Sequence, residues 1–175
     1  VHHEHDERLI RELSGPNGPV RFARVTTDLF RGGQPHRGHL ELLHAVGVRT
    51  IVCLRREAAP VWRAEAAAAE RLGMRFCHFP WYGIFGAGDQ LIDGVLAAMS
   101  DVSEGRVYVH CKRGRDRTSV VVALYRVLVE GWAPHVAWQR EVLDYGWRSI
   151  WVYRKLREVF EQRAGAIEPA PLVSR

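Results

Sequence analysis

The sequence predicts an α/β domain with a largely parallel central sheet flanked by helices, and three observations carry that prediction. Short β-rich apolar runs alternate with helix-length segments along most of the chain. Several of these runs are apolar at nearly every residue, as parallel strands covered on both faces must be. The 175 residues, 47% hydrophobic and 26% charged, suit one domain with its own core and exclude disorder or low-complexity scaffolding. No apolar run reaches the roughly 20 residues that cross a bilayer, so no transmembrane segment is expected.

Residues 1–19 read as an N-terminal leader. His2, His3 and His5 lie in it among charges, with nothing nearby to frame a metal, and a turn cluster of Gly15, Pro16, Gly18 and Pro19 ends it. Residues 20–25 and 29–30 read as short opening strands. Leu40, Leu43 and Val46 share one face of a helix over 39–46, which Gly47 stops. A buried strand over 50–54 follows. An Ala- and Glu-rich helix over 60–72 ends before Gly73, and 74–79 is the next strand. After an aromatic, Gly-rich connection over 80–88, Asp89 suits the N-cap of a helix to about residue 99. A short strand over 106–109 then delivers His110 and Cys111. From 118 to 129 apolar residues surround the helix on nearly all sides, which predicts a central buried helix. Helices over 134–145 and 150–163 complete a domain of residues 20–163, leaving 164–175 as a mobile tail. Trp147 and Trp151 are assigned to packing, since no cofactor fingerprint accompanies them.

The chemistry is concentrated in His110-Cys111-Lys112-Arg113-Gly114-Arg115-Asp116-Arg117-Thr118, between a strand and the buried helix. A strand-to-helix turn presents successive backbone N–H groups and the positive end of a helix to one point, a natural cradle for phosphate oxygens. Cys111 would sit beneath that cradle, where the same field and the neighbouring guanidinium groups favour thiolate over thiol. Arg117 can hold two phosphate oxygens in its planar fork, which Lys could do only as a point charge. The bland alternative is a buried small Cys beside a solvated run of cations.

This stretch resembles the signature of the cysteine-dependent phosphatases of the dual-specificity, protein-tyrosine-phosphatase-like superfamily: His-Cys, five residues, Arg, then Ser or Thr. The resemblance extends over about residues 22–160 and includes Arg31-Gly32-Gly33-Gln34-Pro35 and residues 51–57, as in bacterial members. It implies a fold of that family, with Cys111 forming a phosphocysteine, Arg117 binding phosphate, His110 supporting the thiolate and the Thr118 hydroxyl assisting it as leaving group. Ser119 departs from the common Gly. Some relatives protect the nucleophile by a reversible disulfide, which nominates Cys53, with Cys77 as the next partner; packing is the simpler role for Cys53. The family's usual acid motif is not recognisable in residues 79–82. Asp89, in the connection where a mobile acid loop often lies, is the first choice of general acid, although it equally suits a helix cap. Asp116 is its rival, as in phosphoinositide-directed relatives, or else a simple partner of Arg113 or Arg115.

Lys112, Arg113, Gly114 and Arg115 are the expected substrate contacts, and three cations beyond Arg117 favour a substrate with several negative groups. Inositol phosphates and phosphoinositides fit, and phosphotyrosine protein fits if Trp81, Tyr82 and Phe85 line an aromatic entrance. No metal and no cofactor are expected. The net charge of +5 permits peripheral contact with anionic lipid. Nucleic acid is not expected, because a single Arg-Gly-Gly makes no repeat and no basic-aromatic module is present. Three unevenly spaced cysteines give no disulfide scaffold and suit a reduced, cytoplasmic chain. An exported form would follow if an N-terminal segment were removed before Val1. The alternatives to an enzyme of this kind are a rhodanese-like sulfur transferase and a non-catalytic module that docks phosphorylated lipid or protein.

Overall fold

A computed structural model describes residues 2–56, 59–82, 87–147 and 154–167. Five strands form one sheet: β1 (Ala23–Arg24), β2 (Leu29–Gly32), β3 (Val48–Cys53), β4 (Arg75–His78) and β5 (Arg106–His110). Their order is β1-β2-β5-β3-β4, with β1 antiparallel to β2 and every other pairing parallel. The helices are α1 (His2–Leu13), α2 (Arg37–Ala45), α3 (Ala59–Arg71), α4 (Asp89–Ser100), α5 (Arg117–Leu128), α6 (Pro134–Trp138) and α7 (Arg154–Ala164). Among the described residues no helix is long and apolar enough to cross a membrane.

The topology follows from right-handed crossovers. From β2 through α2 to β3, and through α3 to β4, the chain advances in one direction across the sheet. It then reverses to insert β5 between β2 and β3, so α4 and α5 cover the opposite face. Each face has its own core. Phe30, Ile51 and Tyr108 pack with Leu9, Leu13, Leu40 and Leu43 on the α1–α3 side. Val52, Val107 and Val109 pack with Val95, Val121, Leu124 and Phe160 on the other. α5 is buried from Thr118 through Leu124, as its apolar surround predicts.

Three expectations change. Residues 2–13 do not stand outside the domain as a leader: Leu9, Ile10 and Leu13 share one face of α1 and are buried, so the core begins before residue 20. The expected strand over 20–25 shrinks to Ala23–Arg24, because Arg21 adopts the left-handed region at φ 57° and breaks the extension. The helix expected over 134–145 is α6 followed by a π-helical turn at Gln139–Leu143. The last helix begins at Arg154, and Ile150, Trp151, Phe85 and the tail from residue 168 lie outside the described residues.

Candidate active site

β5 ends at His110, and residues 111–116 turn into α5 at the C-terminal edge of the sheet, beside the ends of β2 and β3. That edge, where strand order reverses, is where open parallel sheets collect ligands. Four consecutive carbonyls of the turn are each tied outward. The His110 Nδ1 is 3.2 Å from the Cys111 oxygen, and the Gln34 backbone N–H donates to Lys112 at 3.2 Å. Arg21 Nη1 donates to Arg113 at 3.2 Å and Arg31 Nη2 to Gly114 at 3.2 Å. The C=O and N–H of one peptide plane point in opposite directions, so each tied carbonyl turns the following N–H inward. The result is a cradle of donors. Gly114 is required within it: φ is +64°, and a Cβ would stand 2.5 Å from the carbonyl carbon of Gly32. The Arg31-Gly32-Gly33-Gln34 stretch is therefore the backing of this loop.

Cys111 is buried at the base of the cradle. Burial pushes its thiol up, but the Arg117 guanidinium, the Thr118 hydroxyl and the N–H groups of Thr118 and Arg113 outweigh it and hold the thiol below its usual value. Arg117 is held over the site by the carbonyls of Leu54 at 3.0 Å and Trp81 at 3.2 Å. The buried Thr118 hydroxyl makes no other hydrogen bond among the described residues. Ser119, in place of the common Gly, accepts from Arg31 Nη2 at 2.5 Å, so the helix start is braced rather than disturbed.

His110 is fully buried, with Nε2 2.8 Å from Glu65 Oε1 in an ion-pair contact whose angle falls short of a good hydrogen bond. Burial pulls its imidazole down, but Glu65 and Cys53 raise it well above the usual value. Cys53, Glu65 and His110 bring their side-chain donor atoms within 4.8 Å of one another, but the carboxylate is taken up by His110 and by Gln34, so the cluster is an internal ion pair behind the loop rather than a set of metal ligands.

Lys112 and Arg113 are exposed, while Arg115 is buried and pairs in fork geometry with Asp116 at 3.0 and 3.4 Å. Asp116 is thus inside the loop. Asp89 is engaged by another element: Gly88 is the N-cap of α4, Asp89 is the first helical residue, and its exposed carboxylate binds Arg163 of α7 at 2.8 Å. Trp81 is fully buried, Tyr82 is exposed with Arg56 over its ring, and Trp147 packs edge-on against Trp138. Neither proposed disulfide partner suits Cys111. Cys53 is in register with His110 and clusters with its side chain on the α3 face, whereas Cys111 belongs to the opposite core. Cys77 is in register with Val52, two strands and roughly 10 Å from β5, beyond the about 7 Å between Cα atoms that a disulfide spans.

Several supporting roles escape sequence reasoning, those of Arg21, Arg31, Gln34, Glu65 and Glu141, although Arg31 and Gln34 lie in the stretch that carries the resemblance. Arg31 is fully buried, donating to Glu141 Oε2 at 2.9 Å beneath the Tyr145 ring, and Arg126 binds the other Glu141 oxygen at 2.8 Å. A lone Arg in the strand Leu29–Gly32 was a signal, because a buried cation demands a partner. Glu65, among alanines on α3, was a similar one.

Comparison with known proteins agrees with this geometry. A family model described as a DSP-PTPase phosphatase fused to NAD+ kinase matches residues 15–146. The dual specificity protein phosphatase TpbA of Pseudomonas aeruginosa is 25% identical over 118 residues, covering 67% of this chain and 51% of that protein. Inositol diphosphatase DSP1 of Oryza sativa subsp. japonica is 31% identical over 117 residues, covering 63% and 50%. The chain thus spans about half the length of these relatives. The crystal structure of TpbA has a TM-score of 0.65 at 22% identity, covering 82% of this chain and 84% of that one. The core catalytic domain of the PP-IP phosphatase SIW14 from S. cerevisiae has a TM-score of 0.67 at 17% identity, covering 83% and 86%. Both are likenesses of fold.

Proposed function

The chain belongs to the dual-specificity, protein-tyrosine-phosphatase-like phosphatase family matched over residues 15–146, and from that premise we propose that it is a phosphatase working through a phosphocysteine intermediate. One observation carries the reading: the Cys111 sulfur, its thiol held low, lies at the base of inward N–H groups with Arg117 beside it. In the first step the thiolate attacks phosphorus, so an S–P bond forms as the P–O bond of the leaving group breaks. Arg117 and the loop N–H groups meet the charge that spreads over the equatorial oxygens. In the second step water attacks phosphorus, and the S–P electron pair returns to a sulfur that the Thr118 hydroxyl stabilises. Asp116 is our assignment for the group that gives a proton to the leaving oxygen and takes one from the water. It lies in the loop itself, whereas Asp89 is engaged by Arg163.

The substrate we assign is a compact, highly phosphorylated small molecule of the inositol phosphate or diphosphate class. Exposed Lys112 and Arg113 beside Arg21 favour several negative groups at once, and a relative carries the name inositol diphosphatase. A diphosphate also has phosphate as its leaving group, which needs little protonation and suits a loop whose single carboxylate is paired with Arg115. Phosphate release should be measured on an inositol diphosphate, a soluble inositol phosphate, phosphoinositide vesicles and a phosphotyrosine peptide, with an aryl phosphate as reference. Preference for the peptide would move the chain to the protein-directed members. Cys111→Ser should abolish release from every substrate while retaining ligand binding, and normal turnover by that variant would reject the mechanism.

A further inference from the structure

Glu65 lies on α3, on the face of the sheet opposite Cys111, and no motif includes it. It is nonetheless connected to the nucleophile by two routes. Its Oε1 stands 2.8 Å from His110 Nε2, and His110 Nδ1 is 3.2 Å from the Cys111 carbonyl. Its Oε2 accepts from Gln34 Nε2 at 2.5 Å, and the Gln34 backbone N–H ties the Lys112 carbonyl at 3.2 Å. Arg55 Nη1 donates to the Gln34 side-chain oxygen at 2.7 Å, which fixes which end of that amide faces Glu65.

The partners of His110 assign its protons. A peptide carbonyl can only accept, so Nδ1 must donate to Cys111. A carboxylate oxygen stands 2.8 Å from Nε2, and a bare ring nitrogen there would set two lone pairs against each other, so Nε2 carries hydrogen as well. A ring with both nitrogens protonated is an imidazolium. In a site with no exposure, that cation persists only if a counter-charge is built beside it. The groups that face the ring are Glu65 from α3, Cys53 from β3 and, on β5, Tyr108 stacked at 5.7 Å. The adjacent β2 contributes only Gly32, in register with His110. Of these Glu65 alone is a carboxylate.

We propose that Glu65 is a positioning residue for the nucleophile: it keeps His110 as a buried imidazolium, which anchors the Cys111 carbonyl outward and places a positive charge behind the thiolate. The cationic member of the pair is the nearer one, adjacent in sequence to Cys111, while the carboxylate meets the far nitrogen of the ring. Their sum therefore favours negative charge on sulfur. The proposal rests on the phosphatase reading in taking Cys111 as the nucleophile, but its first readout does not need turnover.

The test is Glu65→Gln. Glutamine keeps the shape and can hydrogen-bond either tautomer of a neutral ring, so it removes the charge alone. The pH dependence of iodoacetamide alkylation, followed on the Cys111 peptide by mass spectrometry, should move its midpoint upward by roughly one unit. The acid limb of kcat/KM on an aryl phosphate should move by the same amount, with KM above that limb unchanged. Glu65→Asp, which restores the charge, should recover part of the shift. His110→Asn should give the same shift, and the double variant no more than either alone. An unchanged alkylation midpoint in folded Glu65→Gln overturns the proposal. Should that variant not fold, the ring nitrogens of His110 in the unaltered protein decide it by NMR. Both stay protonated through neutral pH if Glu65 acts as described, and a bare nitrogen overturns the assignment. A shifted midpoint in a protein whose unaltered form hydrolyses none of the phosphates supports the role of Glu65 while removing the phosphatase reading.

Discussion

Arg117 tests whether charge or shape matters at the site. Its guanidinium is fixed by two carbonyls, Leu54 and Trp81, so its fork is aimed before substrate arrives. Arg117→Lys keeps the charge but cannot hold two oxygens in one plane, and kcat on an aryl phosphate should fall by about 10²–10³-fold. The acid assignment is resolved by leaving-group chemistry. Asp116→Asn should steepen the dependence of rate on leaving-group pKa, costing about 10²-fold for alkyl phosphates and little for activated phenyl phosphates. Asp89→Asn should leave that dependence unchanged, because its carboxylate serves Arg163; the reverse pattern would return the role to Asp89. At this scale the reacting pair is legible from sequence because Cys111, Arg117 and Thr118 are neighbours along the chain. Arg31 and Glu65 are not legible in the same way. Their partners are 110 residues away at Glu141 and 31 away at Gln34, and only the folded sheet brings them together.

Among the elements, α5 was readable and α1 was not, for one physical reason. Apolar residues surround α5, whereas only Leu9, Ile10 and Leu13 mark the buried face of a helix otherwise full of His, Glu and Arg. A solvated leader would tolerate any substitution there. Leu13 is fully buried among Leu40, Leu43 and Phe30, so Leu13→Ala should cost about 2–5 kcal/mol in urea unfolding, and a change within experimental error would remove α1 from the core. The π-helical turn after α6 has no sequence signal at all, since its extra residue per turn is set by what it must reach. It holds Glu141 against buried Arg31, which needs a counter-charge, and against Arg126, which Glu130 binds as well.

On the scale of the whole molecule, the reversal of strand order opens a crevice at the ends of β2, β3 and β5, and the loop in that crevice carries its own cations. Arg115 is buried against Asp116 and Arg117 is fixed over Cys111, which leaves Lys112 and Arg113 as the exposed charges of the loop. A monoester with one phosphate engages the cradle and Arg117, so it has little use for them. A ligand with several phosphates extends past the cradle and meets them. Each exposed charge pair of this kind is worth about 0.2–1 kcal/mol in water, so two together amount to about twofold to thirtyfold in affinity. Lys112→Ala combined with Arg113→Ala should therefore raise KM for an inositol diphosphate by about tenfold while changing KM for an aryl phosphate by less than about twofold. The backbone anchors are untouched, because Gln34 and Arg21 bind the carbonyls of these two residues rather than their side chains. Added salt should shrink the difference between the unaltered and doubly substituted proteins, since the charges are open to screening over about 10 Å at 0.1 M ionic strength. An equal rise in KM for both substrates would show that these side chains shape the cradle itself, and the polyanion assignment would then lose its support.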